Sequence, residues 1–247
     1  MEMPMIAMKA GPGCQTMGDI LHSLGGISAD RVHLIPTPGT AKVRDAVRLL
    51  DRLDKRICEL IDGTLVEKIA RIMESCVAVE VVARIALWNE AAGDVGMILG
   101  ADALFHLGHK QVRIPDASFT NWDRLPGRTV PADSVEGVPD VVPDLAVEVL
   151  NEGNTVGEMT RKLADYFEAE IKLVWYVDPI KRTVRVYTSQ DDVTELTVAD
   201  TLDGGDVLPG FFVSVARIFA DLPDVPAKPV KPTEPAKAAK PKGKKKS

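Results

Sequence analysis

Two acidic residues lie inside otherwise apolar segments that have the composition of β-strands. Asp116 lies in VRIPDASF (112–119), and Glu148 lies in PDLAVEVL (143–150). Removing a carboxylate from water is costly unless the group is paired or binds a cation. Both acids therefore indicate chemistry, and Glu148, surrounded by Leu, Ala and Val, is the more informative of the two.

A lysine follows on the next predicted element. The Thr155-x-x-Glu158 pattern is typical of a capping box and predicts a helix over about 156–169. In that helix Glu158, Lys162 and Tyr166 share one side, so Lys162 can face the end of the strand that holds Glu148. Two carboxylates supply oxygen ligands for Mg²⁺ or Mn²⁺, and a lysine can place water and offset developing charge. The spacing permits metal-assisted phosphodiester hydrolysis.

The elements around these residues predict an α/β (α+β) fold with a mixed sheet flanked by helices. Asp62-Gly63 indicates a hairpin, and a long helix is expected over 70–92. The segments 95–99, 103–107 and 112–119 suggest an antiparallel meander. Further strands are expected at 145–150, 173–177, 184–188 and 195–198.

Composition divides the chain into three parts. We expect a flexible segment and helical arm over 1–56, a core domain over 57–222, and a disordered Lys/Pro/Ala-rich tail over 223–247. Residues 226–247 contain eight lysines and one glutamate, whereas the whole chain carries −6, which leaves about −13 for the rest. An acidic body does not by itself indicate a nucleic-acid partner. The tail either tethers nucleic acid or acts as a solubilising extension.

Several classes of protein are disfavoured. The three cysteines show no paired spacing, which argues against a disulfide framework or zinc knuckle and fits a cytoplasmic location. The four histidines lack metal-ligand spacing. No apolar run is long enough to span a bilayer, and no glycine-rich segment has the context of a phosphate loop.

The motifs together resemble the Uma-two-type restriction endonucleases of the PD-(D/E)XK nuclease superfamily. The resemblance covers about 160 residues, 57–220, and is carried by ELIDGTLVEK (59–68), VRIPDASF (112–119), PDLAVEVL (143–150), RKLADYF (161–167), LVWYVDP (173–179), VRVYTS (184–189) and DTLDGGDVLPGF (200–211). It implies a restriction endonuclease-like fold and the activity of a metal-dependent endonuclease. The partner that it implies is nucleic acid, with DNA favoured over RNA.

The resemblance assigns roles residue by residue. It places Asp116 and Glu148 as metal ligands, and the superfamily has a lysine two residues past the second acid. Here that position holds Leu150, so Lys162 must serve as a lysine relocated to the next helix. Glu74, favoured over Glu80, could add a helix-borne carboxylate as the first core helix does in some superfamily members, or either could be an ordinary solvated residue. Asp144 could support Glu148, or simply open its strand.

Two further expectations follow from the resemblance. A homodimer is compatible with cutting both strands of a duplex, although no interface stripe is readable in the sequence. The alternative to an enzyme is a non-catalytic module of the same fold that binds protein or nucleic acid, which the leucine at position 150 and the acidic body favour. A structural scaffold with merely hydrogen-bonded acids ranks last.

Overall fold

A computed structural model describes residues 16–53, 56–69, 71–108, 110–131 and 134–223. The predicted tail over 223–247 lies, except for its first residue, outside the described residues. The helices are α1 (Met17–Ser23), α2 (Val43–Leu50), α3 (Ile72–Ala91), α4 (Val156–Glu168) and α5 (Val215–Ile218). No helix among the described residues is both long and apolar enough to cross a lipid bilayer.

Most strands belong to two antiparallel or mixed sheets. The strands are β1 (Cys58–Ile61), β2 (Thr64–Glu67), β3 (Gly96–Gly100), β4 (Phe105–His106), β5 (Val112–Arg113), β6 (Ala117–Asn121), β7 (Ser134–Val135), β8 (Val138–Pro139), β9 (Leu145–Val149), β10 (Leu173–Asp178), β11 (Thr183–Tyr187), β12 (Val193–Leu196), β13 (Thr201–Asp203) and β14 (Phe212–Ser214). The larger sheet has the order β12-β11-β10-β9-β6-β3, and the smaller has the order β2-β1-β5-β4. The fold is therefore the mixed α/β architecture expected from the sequence.

The centre of the larger sheet is a βαβ unit. Strands β9 and β10 pair in parallel, and α4 connects them, as a parallel pair requires. The odd-numbered side chains of β9 pack with α3 and α5, whereas Ala146 packs with α4. Because successive side chains alternate between faces, α3 and α4 cover opposite faces of the sheet. Glu148 shares the α4 face.

The expected meander is wrong. The segment over 112–119 forms two strands, because Val112 pairs with Leu60 in the smaller sheet while Ala117 pairs with Val147 in the larger one. Asp116 lies between them, at the point where the chain passes from one sheet to the other. Periodicity could not reveal this division, since both halves have the same alternation.

The hairpin between β1 and β2 forms as the Asp62-Gly63 pair predicts. Both residues have positive φ, 48° and 75°, which is the backbone of a tight hairpin turn. A Cβ at Gly63 would lie 2.6 Å from the carbonyl oxygen of Gly39. Glycine is therefore required here both for conformation and for close approach of the segment before α2.

The N-terminal arm packs against the start of α4. The Arg31 guanidinium donates to both carboxylate oxygens of Glu158, at 3.1 and 2.7 Å, and the pair is buried. Gly25 lies against Gly157 so closely that a Cβ at Gly25 would be 2.2 Å from the amide nitrogen of Glu158. Thr155 caps α4 as predicted, accepting from that amide, but Glu158 binds Arg31 rather than closing the capping box.

Candidate active site

Asp116 is fixed by backbone contacts with β9. Its amide donates to the Val147 carbonyl at 2.8 Å, and its Oδ2 accepts from the Val149 amide at 2.7 Å. Its Oδ1 lies 2.8 Å from the Nζ of Lys68, which also donates to the Ile114 carbonyl at 2.5 Å. One oxygen of Asp116 therefore orders the sheet, and the other faces a cation.

Glu148 lies beneath α4 and is 4% exposed. The Lys162 ammonium is 2.8 Å from its Oε2, and the Tyr166 hydroxyl donates to its Oε1. Lys162 and Tyr166 are one turn apart on α4, so a single helix face supplies both contacts. The structure thus brings Lys162 directly onto Glu148.

A third carboxylate, Glu59 of β1, completes the group. Lys162 Nζ lies 2.9 Å from Glu59 Oε1, and Arg113 Nη1 lies 2.8 Å from Glu59 Oε2. Arg113 also pairs with Asp165 of α4, and the Ile114 amide donates to Glu59 at 3.2 Å. The smaller sheet is therefore joined to α4 by buried charges.

The Lys68–Asp116 pair acts electrostatically on Glu148, and the remaining side chains are in direct contact. We call the whole group the acid–lysine cluster: Glu59, Lys68, Arg113, Asp116, Glu148, Lys162, Asp165 and Tyr166. It contains four carboxylates and three cations, and its central members are almost entirely buried. An excess of carboxylate in a low-dielectric setting favours uptake of a proton or another cation.

The pKa values reflect that balance. Burial raises the pKa of Glu148, and although Lys162 and Lys68 oppose the rise, the pKa stays above its ordinary value. The negative charges of Asp116 and Glu59 add to the rise. Burial therefore makes the ionisation of Glu148 dependent on nearby cations.

The pKa values of Glu59 and Lys162 are shifted in the directions that favour their charged forms. Burial opposes ionisation of Glu59, but Lys162 and Arg113 outweigh it and hold the pKa of this carboxyl well below its usual range. Burial likewise disfavours the Lys162 ammonium, but Glu148 and Glu59 outweigh it and raise its pKa. Lys162 is thus a fixed positive charge.

The two candidate supporting residues take part in none of these contacts. Asp144 opens β9 and binds the Asn121 amide at 2.8 Å, Arg124 Nε at 2.8 Å and Lys172 Nζ at 2.9 Å. It is four residues from Glu148, or about 13 Å along a strand. Glu74 lies in the first turn of α3, with Oε2 buried and without a hydrogen-bond partner among the described residues.

Sequence reasoning missed Glu59 and Lys68. Glu59 carries the same signal as Glu148, since it is an acid in a fully buried strand with the sequence CELI. Lys68 directly follows β2 and gives no such signal, because a lysine after a strand is an ordinary surface residue. Leu150, where the superfamily pattern has lysine, packs against the apolar core beneath α4.

The carboxylate oxygens of Asp116 and Glu148 are the type of ligand that a hard divalent cation prefers. Mg²⁺ is usually held by one or two carboxylates together with waters and substrate oxygens. No group of three or more His, Cys, Asp or Glu side chains with metal-binding geometry occurs among the residues described. Asp116 and Glu148 would be the ligands, and the Lys68 ammonium already occupies a cation position at Asp116 Oδ1.

Comparisons with known proteins agree with the resemblance in the sequence. The family model of Uma2, described as "Putative restriction endonuclease", matches residues 45–216. A crystal structure of "a putative nuclease belonging to DUF820" from Anabaena variabilis superposes with a TM-score of 0.58 at 17% identity, covering 72% of this chain and 97% of the other. That likeness establishes the fold. The comparison with curated proteins gives no match.

The family match covers both hairpin strands, the Asp116 segment, β9 and α4, and hence every member of the acid–lysine cluster. The chain has the restriction endonuclease-like fold and belongs to the Uma2 family, whose description is that of a putative restriction endonuclease.

Proposed function

We propose that this protein is an endonuclease that hydrolyses phosphodiester bonds of nucleic acid and requires Mg²⁺ or Mn²⁺. DNA is the favoured substrate. Asp116 and Glu148 would hold the metal. The observation that carries the proposal is the direct contact of these two carboxylates with two separate lysines, at 2.8 Å in each case. A bound divalent cation would supply charge neutralisation and a more acidic water.

Lys162 would position the attacking water and offset charge in the transition state. Its ammonium is held between Glu59 and Glu148, and its side chain is 7% exposed. A cation fixed in advance needs no reorganisation during the reaction, which is the main source of electrostatic catalysis. Glu59 is therefore a positioning residue that acts through Lys162.

Lys68 would be the second cation of the site. Its side chain is 11% exposed, and its contact with Asp116 places it beside a proposed metal ligand. It is suited to neutralising a non-bridging phosphate oxygen of the substrate. This assignment adds a lysine to the one expected from the sequence and does not require position 150.

Nicking of supercoiled plasmid in Mg²⁺ or Mn²⁺ tests the proposal. We expect Glu148→Gln to lower the nicking rate at least about 100-fold, since it removes the charge of a proposed metal ligand. The matched control is Glu195→Gln, an exposed acid on β12, which should nick at the wild-type rate. Equal rates for wild type and Glu148→Gln would reject the catalytic assignment.

The non-catalytic module is the second candidate. It is favoured by the fact that both oxygens of Asp116 and both of Glu148 already have intramolecular partners. In that case wild-type protein would not nick DNA in any divalent cation, and Glu148→Gln would alter stability alone. Nicking that is lost in Glu148→Gln while the melting curve is retained excludes the module.

A further inference from the structure

Helix α3 has an apolar surface on the side that faces away from the sheet. Its buried residues include Val77, Val81 and Ile85, which pack in the core. Yet Ile72, Val79 and Leu87 are 77%, 65% and 56% exposed. The helix is therefore apolar on both sides, although it packs mainly against β3, β6, β9 and α5 on one of them.

The exposed residues form a continuous stripe along the helix. With about 100° per residue, the positions within about 60° of Ile72 comprise Ser75, Cys76, Val79, Ala83, Ala86, Leu87 and Glu90. From position 72 to position 87, about 22 Å, this outer stripe contains no charged residue. Outer faces of surface helices are normally polar, and a helix that is apolar all round is normally covered.

The charged residues at the two ends of α3, Arg71 beside the stripe and Glu90 on it, are placed against the dipole of their own helix. Arg71 is the N-cap residue and makes no side-chain cap, and Glu90 lies in the last turn, which has no basic residue. A cation at the amino end and an anion at the carboxyl end are both unfavourable within a single helix. A second helix running antiparallel would bring Glu90 of one copy to Arg71 of the other.

We infer that the outer stripe of α3 is the interface of a homodimer in which two copies of α3 pack antiparallel about a twofold axis. With the axis level with position 81 along the helix, Val79 lies opposite Ala83 of the second copy, Cys76 lies opposite Ala86, and Glu90 lies opposite Ile72, next to Arg71. Small residues at these positions allow the helices to approach closely. The same patch on both copies is self-complementary, as a twofold interface requires.

An antiparallel second copy of α3 fits this stripe better than a parallel one. Parallel pairing would bring like charges together at each end. Because α3 and α4 lie on opposite faces of the sheet, a dimer through α3 leaves both acid–lysine clusters uncovered. The inference is independent of the proposed function, since it concerns the opposite face of the sheet.

Sedimentation equilibrium of the full chain over a range of concentrations tests the dimer. We expect reversible dimerisation that Val79→Glu weakens at least about tenfold, since it places two like charges near the axis. The control is Ile180→Glu, an apolar residue 58% exposed in the turn after β10, which should dimerise like wild type. A wild-type monomer at all concentrations, or unchanged dimerisation of Val79→Glu, overturns the inference.

Charge reversal tests the antiparallel arrangement. Arg71→Glu and Glu90→Arg should each weaken the dimer, and the double variant should restore it. Each single change improves the match to the dipole of its own helix, so weaker dimerisation cannot be assigned to unfolding. Failure of the double variant to restore dimerisation rejects the arrangement. Deleting residues 1–15 should leave dimerisation unchanged, and a dimer that forms only after this deletion would overturn the inference.

Discussion

Two buried acids, Asp144 directly before β9 and Glu148 within it, have opposite electrostatic surroundings. Asp144 opens β9 and has two cations and a backbone amide as partners, and these lower its pKa against the effect of burial. Glu148, four residues later, shares its lysine with Glu59 and keeps a raised pKa. A buried acid at or within an apolar strand therefore does not by itself indicate a functional site. The local balance of carboxylates and cations separates the two.

The largest expected effect is that of removing the shared lysine. Lys162→Met leaves Glu59 and Glu148 buried without their common ammonium, and we expect a loss of about 3 to 5 kcal/mol in the free energy of unfolding. Urea denaturation at neutral pH measures it. The control is Lys172→Met in the Asp144 group, whose side chain is 63% exposed and should cost less than about 1 kcal/mol. Equal losses would contradict the distinction between the two groups.

Neutralising Asp144 should have a smaller effect that depends on pH. Its pKa is lowered in the folded protein, so its contribution is complete above the unfolded value of about 4 and is lost as the pH falls through the folded value. We expect Asp144→Asn to cost about 1 to 3 kcal/mol at pH 7 and much less at low pH.

Urea denaturation at pH 7 and pH 3 checks this dependence. Asp191→Asn, in the exposed turn between β11 and β12, is the control and should leave stability unchanged at both values. A loss for Asp144→Asn that is the same at pH 7 and pH 3 would show that its charge is not what stabilises the fold.

Much of the surrounding fold could be predicted from the sequence, because its signals are local. The Asp62-Gly63 turn, the Thr155 cap and the apolar run of β10 each act within a few residues, and all three form as expected. Pro115 is a local signal for the strand break near Asp116, but which sheet each half joins depends on tertiary packing.

The candidate site divides in the same way. Strand and helix periodicity place Glu148 and Lys162 on facing surfaces, and their contact follows. The contacts of Glu59 with Lys162 and of Lys68 with Asp116 join distant segments, and only tertiary packing creates them. The exposed stripe of α3 was unreadable for a related reason. Exposed apolar residues are common on protein surfaces, so a second apolar side on a helix does not by itself indicate an interface.

The smallest effect expected concerns Lys68. Lys68→Met removes a cation that competes for Asp116, so we expect Mn²⁺ to bind about three- to tenfold more tightly, equivalent to about 1 kcal/mol, while plasmid nicking becomes slower. Isothermal titration with MnCl₂ measures the affinity. Lys181→Met, on an exposed turn, should change neither property. Unchanged affinity in Lys68→Met would mean that Lys68 does not share the metal position.

The most direct test of the account is a crystal structure of the protein soaked in Mn²⁺, with an anomalous difference map. We predict a peak within about 2.5 Å of carboxylate oxygens of both Asp116 and Glu148, with the Lys68 ammonium moved away from Asp116 and no peak at Asp144. A peak at Asp144 would contradict the assignment of the acid–lysine cluster as the metal site. So would a crystal soaked in saturating Mn²⁺ in which the Lys68–Asp116 ion pair stays intact and no peak lies beside it.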